Sequence, residues 1–316
     1  MSEVATTTGP PSPATTPRTN GVPPSTCSTY AEVTAIRATH PQAISEAWAR
    51  RRRRQTVNGS NDRLMIVAAD HPARGALSVG ANPTAMNSRS DLLDRLRTAL
   101  ANPGVDGVLA TSDILEDLLL LGALEDKVVF SSMNRGGLAG ASFELDDRMT
   151  AATATWTIDA GLNGAKMLCR VDLGDPGTLN MMTACAAAVD ELAAGRSIAM
   201  LEPFLSSRID GKVRNDLTAD AVIKSMHIIQ GLGSTSAYTW LKLPVVDEME
   251  RVMDATTLPT LLLGGDPQTA PDETFASWER ALRIPSVRGL IVGRTLLYPA
   301  DDDVATAVDT AVNLVS

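Results

Sequence analysis

Two lysines lie within apolar runs of this sequence. Of all the residues that could do chemistry, these two give the strongest indication of function. Lys242 lies inside the short apolar run Tyr238-Thr-Trp-Leu-Lys-Leu-Pro244, and Lys166 follows Gly164 and Ala165 in another run. Burial, or a second cation nearby, lowers the pKa of a lysine and leaves a neutral amine that can attack a carbonyl group. A lone lysine in a strand more often extends its ammonium group to solvent, so the neighbouring residues decide which interpretation holds.

Two carboxylates are expected beside these lysines. Asp70 ends the apolar run 64–69, and Glu202 ends the run 197–201. A carboxylate beside an amine can move the protons of carbinolamine, imine and enamine formation, and Asp70 suits a substrate hydroxyl that loses its proton when a carbon–carbon bond breaks. A buried Lys–Glu–Lys network without a function is the alternative, but such a network is costly to bury. We therefore predict that Lys242 forms a Schiff base, with Glu202, Lys166 and Asp70 around it.

Two glycine motifs predict a site for an anion. The segments Leu263-Gly-Gly-Asp266 and Val292-Gly-Arg-Thr295 each follow an apolar run and precede a helical pattern. Glycines there let backbone N–H groups approach an oxyanion, and an arginine can add a bidentate contact. Arg74, in the loop after Asp70, is also expected to reach the substrate, whereas His71 is interpreted as a structural loop residue. The predicted phosphate and substrate contacts are Gly264, Gly265, Gly293, Arg294 and Arg74.

The elements that must position these residues alternate along the chain. Short continuous apolar runs between amphipathic helices are typical of parallel strands covered on both faces. Eight such strand–helix units over about 250 residues predict a (β/α)8 TIM barrel, whose chemistry lies at the carboxyl ends of the strands. An open doubly wound sheet is the alternative, but no dinucleotide-binding glycine motif follows the first run. The predicted strands are 64–69, 107–110, 127–131, 165–169, 197–201, 238–244, 259–263 and 289–292.

Three regions complete the predicted domain organisation. Residues 1–28, rich in Thr, Pro and Ser, are expected to be a disordered tail. Residues 29–60 are expected to form an N-terminal helix, over 30–54, and a basic linker, with the arginine run 50–54 on a solvated face. Residues 61–316 are expected to form the barrel, with a helix over 147–160 and a long loop over 203–217.

Composition narrows the classes of partner. The chain of 316 residues carries 28 basic and 37 acidic residues, a net charge of −9, which argues against nucleic acid or an anionic membrane as the main partner. No apolar run is long enough to span a bilayer. The three cysteines have neither disulfide nor metal spacing, so we expect reduced thiols, a cytoplasmic location and no metal or other cofactor.

Several of these segments together resemble the class I aldolases of the deoxyribose-phosphate/tagatose-bisphosphate aldolase family. The segments are Ala69-Asp-His71, Gly164-Ala-Lys166, Met200-Leu-Glu-Pro203, Trp240-Leu-Lys-Leu-Pro244, Leu263-Gly-Gly265 and Val292-Gly-Arg294. The resemblance implies that Lys242 is the Schiff-base lysine, that Glu202 and Lys166 handle protons, and that Asp70 contacts the cleaved hydroxyl. It also implies a metal-independent lyase that assembles as a homo-oligomer. In some fructose-bisphosphate branches an aromatic acid stands in place of Glu202, so the chain looks nearer the tagatose-bisphosphate and sulfosugar branches.

Within that family, the chain looks like the members associated with inositol catabolism. The implied substrate is a small phosphorylated sugar or keto acid, for which 5-dehydro-2-deoxy-phosphogluconate is one candidate, cleaved to dihydroxyacetone phosphate and malonate semialdehyde. A deoxyribose-phosphate, tagatose-bisphosphate or sulfosugar-phosphate aldolase, or a phosphosugar isomerase or transaldolase on the same barrel, is the alternative. A binding protein that uses the arginine-rich arm is the non-enzymatic alternative.

Overall fold

Eight parallel strands form a closed barrel. The structure, a computed structural model, describes residues 26–54, 63–264 and 271–316. The order around the barrel is β1, β2, β3, β4, β5, β7, β8 and β9, and pairing of β9 with β1 and of β4 with β5 closes it. The (β/α)8 prediction is therefore confirmed. The strands are β1 (Leu64–Ala68), β2 (Gly107–Ala110), β3 (Val128–Ser132), β4 (Gly164–Val171), β5 (Ile198–Ile209), β6 (Lys212–Asp216), β7 (Thr239–Pro244), β8 (Thr260–Leu263) and β9 (Val287–Val292).

Helices cover the outside of the barrel. Ser88, Thr153, Thr218 and Asp303 begin four of them by accepting a hydrogen bond from a backbone N–H of the first turn. None of the helices in the described ranges is long and apolar enough to cross a membrane. The helices are α1 (Tyr30–Thr39), α2 (Gln42–Arg50), α3 (Arg89–Ala101), α4 (Ser112–Leu120), α5 (Ala154–Asp159), α6 (Gly177–Ala194), α7 (Ala219–Ile229), α8 (Met249–Asp254), α9 (Pro271–Leu282), α10 (Arg294–Leu297) and α11 (Val304–Val315).

The core has two layers, because the eight barrel strands bury both of their faces, whereas β6 is largely exposed. A large apolar cluster lies between the strands and the helices, and a smaller one fills the barrel interior, where Phe130, Met200 and Trp240 are among its larger members. Side chains two residues apart on a strand share a face. Trp240 therefore indicates that Lys242, two residues further along β7, also points into the barrel.

The N-terminal segment differs from the prediction of one helix over 30–54. It forms α1 and α2, which are separated at His40 and Pro41, where the proline disfavours a helical residue before it. The prediction that the arginine run is solvated is wrong for Arg51, which is buried. Its guanidinium donates to the carbonyls of Leu124, Lys127 and Gly161, at 3.3, 3.1 and 3.0 Å. The run therefore packs against the segments that lead into β3 and β4.

Two predictions about the loops at the carboxyl ends of the strands are wrong. The helix expected over 147–160 is confined to α5, and residues 133–153 form a long irregular connection with a bridge between Asn134 and Met149. The loop expected over 203–217 is a hairpin: β5 continues to Ile209 and pairs antiparallel with β6. Asp210 and Gly211, at φ 50° and 75°, form the two-residue turn between them.

The proposed domain boundaries stay predictions. Residues 1–25 of the expected tail and residues 55–60 of the expected linker lie outside the described residues.

Candidate active site

Four strands bring the predicted catalytic residues to one end of the barrel. Asp70 follows β1, Lys166 is the third residue of β4, Glu202 lies in β5, and Lys242 lies in β7. All four are buried, with 2 to 6% of their surface exposed. In the register of β4 and β5, Glu202 is opposite Leu168, so it stands one inward-facing position beyond Lys166. The four side chains therefore converge although they are far apart in sequence.

Glu202 joins the two lysines. Its Oε1 lies 2.8 Å from Nζ of Lys242, and its Oε2 forms a very short ion pair with Nζ of Lys166. Nζ of Lys166 also lies 3.2 Å from Oδ2 of Asp70. The sequence Lys242, Glu202, Lys166, Asp70 is therefore a continuous chain of charge-assisted hydrogen bonds, along which protons can move.

Arg135 adds a third cation to this cluster. Its Nη1 lies 2.9 Å from Oδ2 of Asp70, and its Nη2 donates to the backbone carbonyl of the same residue. The hydroxyl of Ser132 donates to the same Oδ2 at 3.1 Å. From the sequence, Arg135 is expected only to line the pocket, and its contact with Asp70 is not predicted. Its position three residues after β3 was the available signal, because residues that follow barrel strands reach the mouth.

The cations control the ionisation of both acids. Burial opposes the charge of Glu202, but Lys166 and Lys242 outweigh it and lower the pKa of Glu202 to about 2. Burial likewise opposes the charge of Asp70, but Lys166, Arg135 and Lys242 hold the pKa of this carboxyl well below its usual value. Both acids are therefore carboxylates at neutral pH.

The pKa of Lys166 is also set by burial and by neighbouring charges, but here both burial and the neighbouring cation favour the uncharged form. Burial lowers the pKa of Lys166, and the positive charge of Lys242 acts in the same direction, although Asp70 and Glu202 counteract it. Three cations (Lys166, Lys242 and Arg135) thus face two carboxylates. Release of one proton from a lysine makes this cluster electrically neutral, which favours one uncharged amine within it.

The predicted anion site lies between the ends of β8, β9 and β1. A Cβ on Gly293 would come 2.4 Å from the backbone oxygen of Ala68, and one on Gly264 would come 2.5 Å from Cγ1 of Val292. Both positions therefore require glycine for close approach of neighbouring segments. Arg294 begins α10 directly after Gly293. Gly265 lies outside the described residues, so its predicted contact with phosphate stays a prediction.

His71 connects the anion site with the catalytic cluster. Its Nδ1 lies 3.9 Å from Oδ1 of Asp70, and its Cε1 would be 3.5 Å from a Cβ on Gly293. Burial lowers the pKa of His71, and the positive charges of Arg294, Lys242 and Lys166 add to that effect against the opposing charge of Asp70. The imidazole is therefore neutral near pH 7.

The sequence predicts that Arg74 reaches the substrate, but in the structure its side chain contacts other groups of the protein. It is buried, and its Nη1 donates to the carbonyl of Gly137 at 2.9 Å and lies 2.5 Å from Oδ2 of Asp147. Arg170 forms a parallel ion pair with Glu144 in the same region. These contacts hold the long connection after β3 against the barrel and so place Arg135. A contact of Arg74 with substrate remains a prediction.

No cluster of three His, Cys, Asp or Glu side chains that could hold a metal ion occurs among residues 26–54, 63–264 and 271–316. The three cysteines are free and buried. Chemically, the chain of Lys242, Glu202, Lys166 and Asp70 can offer an amine at one end with proton carriers beside it.

Comparison with known proteins identifies relatives of the barrel. The family model described as Cgl0159-like matches residues 62–312. A crystal structure of Cgl0159 from Corynebacterium glutamicum is 57% identical, with 90% of this chain and 96% of that chain covered and a TM-score of 0.88. None of the curated proteins matches this chain.

More distant solved structures share the fold. A Schiff-base-forming fructose-1,6-bisphosphate aldolase is 17% identical, with 86% of this chain and 100% of that chain covered and a TM-score of 0.60. A fructose-bisphosphate aldolase from Slackia heliotrinireducens is 12% identical, with 96% of each chain covered and a TM-score of 0.52. At these identities the likeness shows a common barrel and nothing more specific.

Proposed function

This chain belongs to the Cgl0159-like family, and we propose that it is a class I aldolase that cleaves a phosphorylated keto sugar or keto acid through a Schiff base on Lys242. The observation that carries the proposal is the buried contact of 2.8 Å between Nζ of Lys242 and Oε1 of Glu202. A barrel core has no structural need for a Lys–Glu–Lys–Asp chain, because apolar residues of similar volume are often neutral or more stable there.

The reaction follows from the order of the groups. The amine of Lys242 adds to the ketone carbon of the substrate to give a carbinolamine. The Glu202 carboxylate then relays a proton from the ammonium group of Lys166 to the carbinolamine hydroxyl, which leaves as water. The resulting iminium withdraws electrons from the adjacent carbon–carbon bond. That bond breaks while the hydroxyl of the departing half loses its proton and becomes an aldehyde. Protonation of the enamine and hydrolysis then release the ketone product and restore the amine.

Asp70 suits the departing hydroxyl by position. Its Oδ2 already accepts three hydrogen bonds, from Ser132, Arg135 and Lys166. The substrate hydroxyl is therefore assigned to Oδ1. Because the cations make Asp70 a weak base, the proton passes on along Lys166 to Glu202, which must deliver protons at the following steps.

The phosphate of the substrate is assigned to the segment around Gly264, Gly265, Gly293 and Arg294. The ketone product is assigned as dihydroxyacetone phosphate. A candidate substrate is 5-dehydro-2-deoxy-phosphogluconate, which places the enzyme in inositol catabolism; deoxyribose phosphate, tagatose bisphosphate and sulfosugar phosphates are alternatives. We also propose a cytoplasmic enzyme that requires no metal.

The test is a half-reaction that does not require knowledge of the aldehyde. Dihydroxyacetone phosphate is incubated with the enzyme in deuterium oxide, and exchange of its carbon-bound protons is followed by NMR. Exchange without an added aldehyde, unaffected by a chelator, is expected for the wild type and is expected to disappear in Lys242→Met. Exchange that persists in Lys242→Met, or that a chelator abolishes, contradicts the proposal.

A second assay separates an aldolase from an isomerase. Addition of an aldehyde should give a product with a new carbon–carbon bond, whereas a phosphosugar isomerase would convert dihydroxyacetone phosphate into glyceraldehyde 3-phosphate without one. The product mass therefore distinguishes the two reactions.

A further inference from the structure

The exposed apolar side chains of this protein are gathered at one side of the barrel mouth. In the described part of the chain, all six large apolar residues that are exposed lie in the connections after β3 and β4, at the start of α6, or in and directly after the β5–β6 hairpin. They are Leu138, Phe143, Leu173, Leu179, Ile209 and Leu217, each with 42 to 71% of its surface exposed. Patches of this kind mark sites of protein–protein contact.

Arg208 connects these loops. Its Nη2 donates to the carbonyl of Ser142 at 2.7 Å, and its Nε lies 3.6 Å from Oδ2 of Asp175. The tip of the hairpin therefore lies against the loops that carry Phe143 and Leu173.

The outer strand of this hairpin has an open edge. β6 pairs with β5 and, among the described residues, with no other strand. In a hairpin with a two-residue turn, the residues next to the turn, here Ile209 and Lys212, exchange hydrogen bonds with each other. Because the pattern alternates, the backbone groups of Val213 and Asn215 must point away from β5. An open edge of this kind is a template for another strand.

The sequence of β6 is complementary to itself in one register. In an antiparallel pair of two copies centred on Asn215, Arg214 faces Asp216 of the partner subunit, and Val213 faces Leu217 of the partner subunit. Two-fold symmetry repeats both contacts, so there are two ion pairs and two apolar pairs. This register also joins the outward-pointing backbone groups. A register centred on Arg214 would also join outward-pointing backbone groups, but it would place two arginines face to face.

We propose that β6 pairs antiparallel with β6 of a second copy of this chain, centred on Asn215, and that the surrounding apolar loops complete the interface. A strand pair alone buries too little area for a stable dimer, which needs roughly 1,600 Å² in total. The six exposed apolar residues provide the remaining contact area. This arrangement does not depend on the reaction that the barrel catalyses.

The first test blocks the open edge. Val213→Pro removes an outward N–H, which β5 does not use, and edge strands tolerate proline. Val213→Thr is the matched control, because it keeps a β-branched side chain and the N–H. In sedimentation at micromolar concentrations, the wild type and Val213→Thr should contain a dimer contact that Val213→Pro loses, with unchanged circular dichroism. A monomeric wild type, or an assembly unchanged by Val213→Pro, overturns the proposal.

The second test identifies the register. Arg214→Glu places like charges opposite each other at two symmetric positions, and Asp216→Lys does the same. Each single variant should weaken the dimer at least tenfold, and the double variant should recover most of the affinity. Asp216 also accepts a hydrogen bond from the backbone N–H of Thr218, but its loss is common to Asp216→Lys and the double variant, so recovery is judged between these two. Absence of recovery in the double variant contradicts the register centred on Asn215.

Discussion

The loss of folding stability at acid pH measures how strongly the lysines of the buried cluster stabilise the charged form of Glu202. Glu202 is held between Lys166 and Lys242, and its pKa is lowered from 4.5 to about 2. A group whose pKa is lowered in the folded protein stabilises it above the unfolded pKa, and this contribution is lost as the pH falls through the folded pKa. The whole shift corresponds to about 3 kcal/mol, of which about 2 kcal/mol should be lost between pH 6 and about pH 3.

The change that tests this value is Glu202→Gln. Glutamine cannot ionise, so the variant should lack this part of the acid sensitivity, although it is less stable than the wild type at neutral pH because two ammonium groups lose their counter-charge. The free energy of unfolding is measured by urea titration at both pH values for the wild type and the variant. The difference between the two pH values should be smaller in Glu202→Gln by about 2 kcal/mol.

A matched control separates this effect from general acid denaturation. Glu250 is exposed on α8, and Glu250→Gln should retain the acid sensitivity of the wild type. Equal acid sensitivity in the wild type and Glu202→Gln would refute the reasoning, because it would mean that the two lysines do not lower the pKa of Glu202.

Three further changes probe separate parts of the structure. Arg135→Met removes one of the cations that lower the pKa of Asp70. In the pH profile of kcat/KM, activity should therefore begin to fall at a higher pH on the acid side than in the wild type. Arg135→Lys should reverse part of this shift. Lys166→Met interrupts the chain of proton carriers and should lower kcat by about 10²- to 10⁴-fold while Lys242 can still be trapped on substrate. Arg51→Met leaves three carbonyls without their donor, so urea titration should show a loss of about 3 kcal/mol at unchanged kcat.

The barrel and its four central residues could be predicted because both leave local signals. Parallel strands covered on both faces are continuous apolar runs, and the end of such a run marks the mouth of the barrel. Asp70 and Glu202 are charged residues at those ends and Lys242 is a charged residue inside such a run, so their types and positions in the sequence predict that they lie together. Lys166 lies earlier in its strand, opposite Met200 of β5, and its long side chain reaches Glu202 two residues further along β5.

The contacts that the sequence did not reveal depend on tertiary structure. Arg74 and Arg135 occupy similar positions after strands, but only the fold of residues 133–153 decides that Arg135 reaches Asp70 and Arg74 reaches Asp147. Within the arginine run, the end of α2 decides that Arg51 is buried while its neighbours Arg50 and Arg52 are exposed. The hairpin did have a local signal, an Asp-Gly turn between two strand-like segments, which the apolar-run criterion overlooks because β6 is polar.

The central claim is that Lys242 is the nucleophile, and covalent trapping tests it most directly. The enzyme is treated with dihydroxyacetone phosphate and borohydride, and the modified peptide is identified by mass spectrometry. The account predicts an irreversible mass increase on Lys242 that requires the substrate and is absent from Lys242→Met. Trapping on another lysine, or none at saturating substrate in an enzyme that is active, would contradict it.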